Sequence, residues 1–271
     1  MFLKITSHKE KILNYKSYSD PFPVIEIPNF LNEQDCRTAS DVLINTEFDE
    51  FVRLNRSNIR KGSQSFKKLL KENSVFENLY NFFNNEEQYN FLVKELEKVS
   101  KNSQNNFIMK NKPNKFKEGL FKYKSSIHGK NIFLKFFNFI KSKIINRFVN
   151  YYYFDLHFSI AKKGYAMATH RDNDTRFLTF LLYFNTLDID DGGKFEIYKK
   201  NNDFGLDVIR PDDSSVSVVK RIRPEAGKLI VFFSNPISYH NAETIKKDVT
   251  RCFCYGSFTS NKKIIWEKEI S

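Results

Sequence analysis

From Tyr152 to Thr259, apolar and polar residues exchange at an interval of two. Tyr153, Asp155, His157 and Ser159 alternate with Phe154, Leu156, Phe158 and Ile160, the period of a strand with two different faces. Gly164 turns the chain toward His170. Strands are predicted over Arg176 to Asn185, Lys194 to Tyr198, Ser215 to Ile222, Leu229 to Phe233, Tyr239 to Ile245 and Arg251 to Thr259. Asp190-Asp191-Gly192-Gly193 and Pro224 to Gly227 supply turns between them. With the segment that runs to His170, the set reads as eight short strands with few helices between them, which predicts a double-stranded β-helix, or jelly roll, of mainly β, α+β character.

The first half has a different period. Pro21 to Leu31 predicts an early strand, confined by its prolines to a sheet edge. Asn32 is placed to cap a helix that opens on Glu33, Gln34 and Asp35. Phe66, Leu69, Leu70, Phe76, Leu79, Tyr80 and Phe83 recur at three- and four-residue spacing, so residues 65 to 100 read as helical. Ser74-Val75-Phe76-Glu77 has the form of a capping box that restarts the helix. A second apolar stripe, Tyr89, Leu92, Val93, Leu96 and Val99, follows Asn84-Asn85. A further helix is predicted over Ile132 to Phe148. The expected organisation is one domain over 1–271, with strand and helical support in 1–150, the β core in 151–260 and a tail in 261–271.

Composition narrows the class. The chain has 271 residues, of which 41% are hydrophobic and 16% aromatic, enough for a buried core. No apolar run approaches the roughly 20 residues of a membrane-spanning helix. The first residues lack the continuous apolar core of a secretory leader. Cys36, Cys252 and Cys254 form no even framework, and two of them share one strand face. A reducing cytoplasm is expected. The formal charge of +12 raises the question of a nucleic-acid partner. Lysines sit on almost every polar face, however, so the charge reads as composition. The densest stretch, 101 to 130, holds eight lysines and one acid among Phe107, Phe116, Phe121 and Tyr123. It reads as a solvated loop or a lid over a substrate site, and not as a nucleic-acid site.

The chemistry centres on Thr169-His170-Arg171-Asp172. Two residues apart on a strand, His170 and Asp172 would share one side of the sheet. His240, far downstream, can supply a second imidazole. Two histidines and a carboxylate on one face of a metal leave the opposite positions open, a set that suits non-haem Fe(II). Arg251 follows His240 by eleven residues at the head of an aromatic strand, where a guanidinium can grip a carboxylate bidentately. His157 reads as a hydrogen-bonded core histidine, and Asp174 as a partner of its local turn.

These words, together with Arg176 to Asn185, Gly192-Gly193-Lys194-Phe195 and Pro224 to Phe232, resemble the Fe(II)- and 2-oxoglutarate-dependent dioxygenases. Within them they resemble the prolyl-hydroxylase-like branch, through roughly residues 152 to 260. The resemblance implies that His170, Asp172 and His240 bind iron and carry catalysis. It implies that Arg251 binds the far carboxylate of 2-oxoglutarate and that Tyr183 donates to the same carboxylate. Dioxygen is the second co-substrate and ascorbate a candidate reductant. The expected reaction hydroxylates a C–H bond of a prolyl residue, a related amino acid or another small molecule or peptide, and releases succinate and carbon dioxide. The related enzymes commonly carry a tyrosine about where this chain has Ala161. The rival readings are a nucleic-acid dealkylating oxygenase and a jelly-roll binding protein without turnover. The first usually carries a second arginine six residues after the co-substrate arginine, where this chain has Ser257. The second would show a missing ligand, and none of the three is missing.

Overall fold

The structure, a computed structural model, describes residues 14–269 apart from 49, 54, 104, 114 and 117–149; at 50–53 and 115 it describes the backbone only. The predicted helix over 132 to 148 and most of the lysine-rich stretch lie outside the described residues. In chain order the strands are β1 (Lys16–Tyr18), β2 (Val24–Ile27), β3 (Glu50–Arg53), β4 (Arg56–Arg60), β5 (Phe107–Met109), β6 (Lys115–Phe116), β7 (Tyr151–Ala161), β8 (Met167–His170), β9 (Arg176–Tyr183), β10 (Phe195–Lys200), β11 (Val216–Ile222), β12 (Leu229–Phe233), β13 (His240–Ala242), β14 (Arg251–Ser260) and β15 (Trp266–Lys268). The helices are α1 (Glu33–Ile44), α2 (Gln64–Glu72), α3 (Ser74–Phe83) and α4 (Glu86–Ser100). None of the described helices is long and apolar enough to cross a membrane.

The eight strands from β7 to β14 form the predicted double-stranded β-helix. β12, β9, β14 and β7 lie side by side in one sheet, and β11, β10, β13 and β8 make the other. The chain crosses from sheet to sheet at almost every connection, so each strand feeds the opposite wall. The large sheet is extended at both edges by N-terminal hairpins, β1–β2 beside β12 and β4–β3 beside β7, and β6 pairs with the start of β7. The early strand is therefore not an edge strand: β2 sits between β1 and β12. Pro21, Pro23 and Pro28 flank Val24–Ile27 without interrupting it, so its ladder donors are intact. β5 pairs with β15.

Two apolar layers follow from the strand period. One lies between the large sheet and the helices and includes Phe66, Phe76, Leu79, Phe83, Tyr89, Leu92, Phe154, Phe158, Phe180 and Phe258. The other lies inside the barrel and includes Ala161, Tyr165, Tyr183, Phe195, Ile197, Ile230, Phe232 and Phe253. The helices present their apolar stripes to the first layer. Asn32 caps α1, accepting from the Asp35 amide at 2.8 Å, and Asn85 caps α4, accepting from Glu87 and Gln88. The helix does restart at Ser74, but the cap position is Asn73, which makes no side-chain capping bond. Ser74 is already the first helical residue, one position too late to cap. Phe83 stacks on Phe180 with ring centroids 3.9 Å apart. Gly256 makes room for that stack, since a Cβ there would stand 2.4 Å from the Phe180 ring and 2.2 Å from the Asp155 carbonyl oxygen. All three cysteines are buried and free.

Candidate active site

His170 and His240 are brought together by the small sheet. They are directly paired across β8 and β13, with ring centroids 4.5 Å apart. One ligand atom from each of His170, Asp172 and His240 lies within 4.8 Å of the others, a grouping that can hold a metal ion. Each imidazole is oriented through its Nδ1, which stands 2.9 Å from a backbone carbonyl two residues earlier, Ala168 for His170 and Ser238 for His240. A proton on Nδ1 donates to that carbonyl and leaves the Nε2 lone pair for a metal. Phe232 and Phe195 wall the His240 ring at 4.8 and 5.5 Å.

Asp172 arrives by a different route from the one its spacing suggests. β8 ends at His170, and Asp172 lies in the loop beyond it. The same-side rule for alternate strand residues therefore does not place it. Its carboxylate is instead gripped by three donors: Arg176 Nη1 at 2.9 Å, Thr179 Oγ1 at 2.6 Å and Ser234 Oγ at 3.0 Å. Those residues come from β9 and from the turn after β12, so the large sheet supplies the aim. Burial alone would raise the Asp172 pKa, but the Arg176 charge, the neighbouring histidines and the Thr179 hydroxyl carry it well below the usual range. Burial pushes His170 down, and burial plus the His170 charge pushes His240 down to about 4. The site thus presents two neutral imidazoles and one ionised carboxylate, the protonation states that bind a divalent metal. Asp174 pairs with Arg171 at 2.7 Å and Lys263 at 2.9 Å, which ties the loop to the C-terminal segment as well as to its own turn. His157 packs as expected, bonded to Asp155 at 3.0 Å and stacked on Tyr255.

Arg251 and Tyr183 face the barrel interior from β14 and β9. Arg251 is 2% exposed and Tyr183 fully buried. Arg251 Nη1 donates to the Gly193 carbonyl at 2.6 Å. Its Nε and the Tyr183 hydroxyl are buried without a hydrogen-bond partner among the described residues. The Gly192-Gly193 turn, with both residues at positive φ, delivers that carbonyl. Burial lowers the Arg251 pKa, while Tyr183 and Tyr165 oppose the shift. A buried guanidinium and a buried phenol, with no acid paired to the first and no hydrogen-bond partner on the second among the described residues, are a pair of groups that can accept a carboxylate. Sequence reasoning missed Arg176, Thr179 and Ser234 as partners of Asp172. It also missed Tyr165 and Arg56, which flank Arg251.

The sequence model of the 2OG-Fe(II) oxygenase superfamily matches residues 154–258, the stretch that contains all three candidate ligands and Arg251. Curated protein sequences offer no match. Among solved structures the chain is similar to a collagen prolyl hydroxylase of Paramecium bursaria Chlorella virus-1 in complex with 2-oxoglutarate, at 14% identity and TM-score 0.44, over 89% of this chain and 97% of that one. It is similar to a Pseudomonas putida prolyl-4-hydroxylase at 15% identity and TM-score 0.41, over 93% and 97%. It is also similar to HygX from Streptomyces hygroscopicus with nickel and 2-oxoglutarate bound, at 8% identity and TM-score 0.42, over 87% and 82%. The β core of this chain, residues 154–258, is thus similar in sequence to the 2OG-Fe(II) oxygenase superfamily.

Proposed function

We propose that His170, Asp172 and His240 hold the iron, that Arg251 and Tyr183 bind the distal carboxylate of 2-oxoglutarate, and that the enzyme hydroxylates a prolyl residue or a related amino-acid side chain. The observation that supports the iron and co-substrate assignment most is the pairing of two half-sites in one barrel. Three donor atoms converge at one place, and a carboxylate receptor built on Arg251 and Tyr183 lies in the same interior layer. When bound, iron and 2-oxoglutarate supply the oxidising equivalent for C–H hydroxylation, with succinate and carbon dioxide as products. The chain's own contribution is position and charge. The two backbone carbonyls hold the imidazoles, Arg176 keeps Asp172 ionised, and the phenylalanine walls keep water from the ligands.

The substrate class is supported by the words Arg176 to Asn185, Gly192-Gly193 and Pro224 to Phe232, which resemble the prolyl-hydroxylase-like branch. The dealkylase reading has no second arginine: Ser257 is a buried residue beside Thr259 on β14. The chain is read as one domain acting in the cytoplasm, with ascorbate as reductant. The deciding experiment incubates enzyme, Fe(II), ascorbate and 2-oxoglutarate with proline-containing peptides and free amino acids, followed by mass spectrometry. A gain of one oxygen on proline is expected. Succinate formation stimulated only by a sugar, lipid or nucleobase leaves the dioxygenase standing and sinks the prolyl reading.

A further inference from the structure

A second buried arginine stands beside the co-substrate receptor. Arg56 belongs to β4, outside the segment that matches the family. In the sheet it is directly opposite Ala161 of β7, and Ala161 is directly opposite Arg251 of β14. Residues directly opposite each other across an antiparallel sheet point to the same face. Arg56, Ala161 and Arg251 therefore form one row on the barrel side, with only a methyl group between the two long side chains. The Arg56 guanidinium lies closest to the Tyr255 ring, at 4.4 Å, and shares two further rings with Arg251. The Arg56 guanidinium carbon lies 5.6 Å from the Tyr165 ring centre and 5.3 Å from that of Phe253. The corresponding distances for Arg251 are 5.3 and 4.6 Å.

Arg56 is held rather than loose. Its Nε donates to Asn58 Oδ1 at 3.1 Å and its Nη1 to the Tyr165 hydroxyl at 2.9 Å. The Asn58 oxygen also accepts from Ser159 Oγ. Yet Arg56 is 4% exposed, its Nη2 is buried without a hydrogen-bond partner, and neither guanidinium has an ion-pair partner among the described residues. The Arg56 charge is one of the influences that lower the Arg251 pKa. Two buried cations that repel each other, each with an unused donor, need an anion between them. Aromatic faces offset part of that need but cannot accept the free N–H groups.

We infer that Arg56 is a second co-substrate-binding residue, which donates from its Nη2 to the same distal carboxylate of 2-oxoglutarate that Arg251 binds. The inference rests on the reading of Arg251 given above. The small side chain at 161 is what lets Arg56 reach across β7 to the receptor. A carboxylate on the hydroxylated substrate is the poorer candidate, because Arg56 shares two of its three rings and its burial with Arg251.

The test compares anaerobic binding of two keto acids to the Fe(II)-loaded protein by calorimetry. One is 2-oxoglutarate; the other is 2-oxopentanoate, which has the same carbon chain without the distal carboxylate. Loss of one charge-assisted bond predicts that Arg56→Met weakens 2-oxoglutarate by about tenfold to a hundredfold. Affinity for 2-oxopentanoate and iron stoichiometry should stay as in the wild type. Partial unfolding would weaken both keto acids alike, so the ratio of the two affinities is the readout. Arg56→Lys, which keeps the buried charge, serves if the methionine variant does not fold, and its ratio should fall at least threefold. If Arg251→Met collapses the ratio while both Arg56 variants leave it at the wild-type value, the inference is overturned and the Arg251 reading stands. If the wild-type protein does not prefer 2-oxoglutarate over 2-oxopentanoate, both are overturned.

Discussion

The two faces of strand β14 are built for opposite purposes. Cys252, Cys254 and Phe258 point into the layer under the helices, while Phe253 and the partly buried Tyr255 belong to the barrel interior, on the same side as Arg251. β7 and β9 divide in the same way, with Phe154, Phe158, Phe180 and Leu182 outward and Ala161 and Tyr183 inward. The outer layer is apolar and aromatic, and its rings stack edge to face and face to face. The inner layer carries buried charge, unpaired donors and histidines held neutral. A fully buried large apolar side chain contributes about 1.5–3 kcal/mol, so the outer layer stabilises the sheet. That surplus offsets the cost of the Arg56 Nη2, the Arg251 Nε and the Tyr183 hydroxyl, which are buried without hydrogen-bond partners among the described residues. Stability and chemistry are thus separated by the thickness of one sheet.

Substitutions on either face can break this comparison. The largest effect is expected inside: His240→Ala should remove iron binding, measured by elemental analysis of the purified protein, with the fold retained. Full iron occupancy in that variant would show that the ligand set is wrong. Outside, Phe83→Ala removes the ring stacked on Phe180 and should cost about 3–5 kcal/mol of stability in denaturant unfolding. Affinity for iron and 2-oxoglutarate should be unchanged below the transition. A variant of normal stability with lost iron would mean that the two layers are not separate.

The inner layer should also impose a pH dependence on the metal-free protein. The His240 pKa is pushed from its ordinary 6.5 down to about 4 in the folded state. Between those values the unfolded chain takes up a proton that the folded chain refuses. The stabilisation from the neutral ring is therefore complete above 6.5 and is lost as pH falls through the folded value, on the order of 3 kcal/mol. Melting temperatures from pH 7.5 to 4.5 should fall, and a saturating divalent metal should oppose the fall at its upper end. A flat profile would place His240 in a wetter setting. The smallest effect belongs to Gly256→Ala on the outer face. The new methyl would meet Phe180 and the Asp155 carbonyl, and overpacking of this kind costs about 1–3 kcal/mol. Unfolding should report the loss while co-substrate affinity stays put.

What the sequence determined by itself is whatever depends on neighbours along the chain. Strand alternation from Tyr152 onward, the Asn32 cap, the helical stripes and the Gly192-Gly193 turn all rest on periods and torsions of a few residues, and the structure shows each of them. His170, Asp172, His240 and Arg251 could be picked out because the order of chemically unusual residues in a strand-rich stretch is itself visible. Tertiary structure decided how they are aimed. Asp172 lies off the strand and takes its direction from Arg176, Thr179 and Ser234, of which Ser234 is 62 positions away. β2 proved interior because another hairpin strand covers its far side. Arg56 had no local signal at all: an arginine in Arg56-Ser57-Asn58 reads as a solvent-facing charge until β4 pairs with β7. Its bond to Tyr165 spans 109 positions, and no local period carries information over that distance. Only the pairing of β7 with both β14 and β4 in the large sheet sets these strands side by side, and only then do two arginines far apart in the chain share two of the same rings.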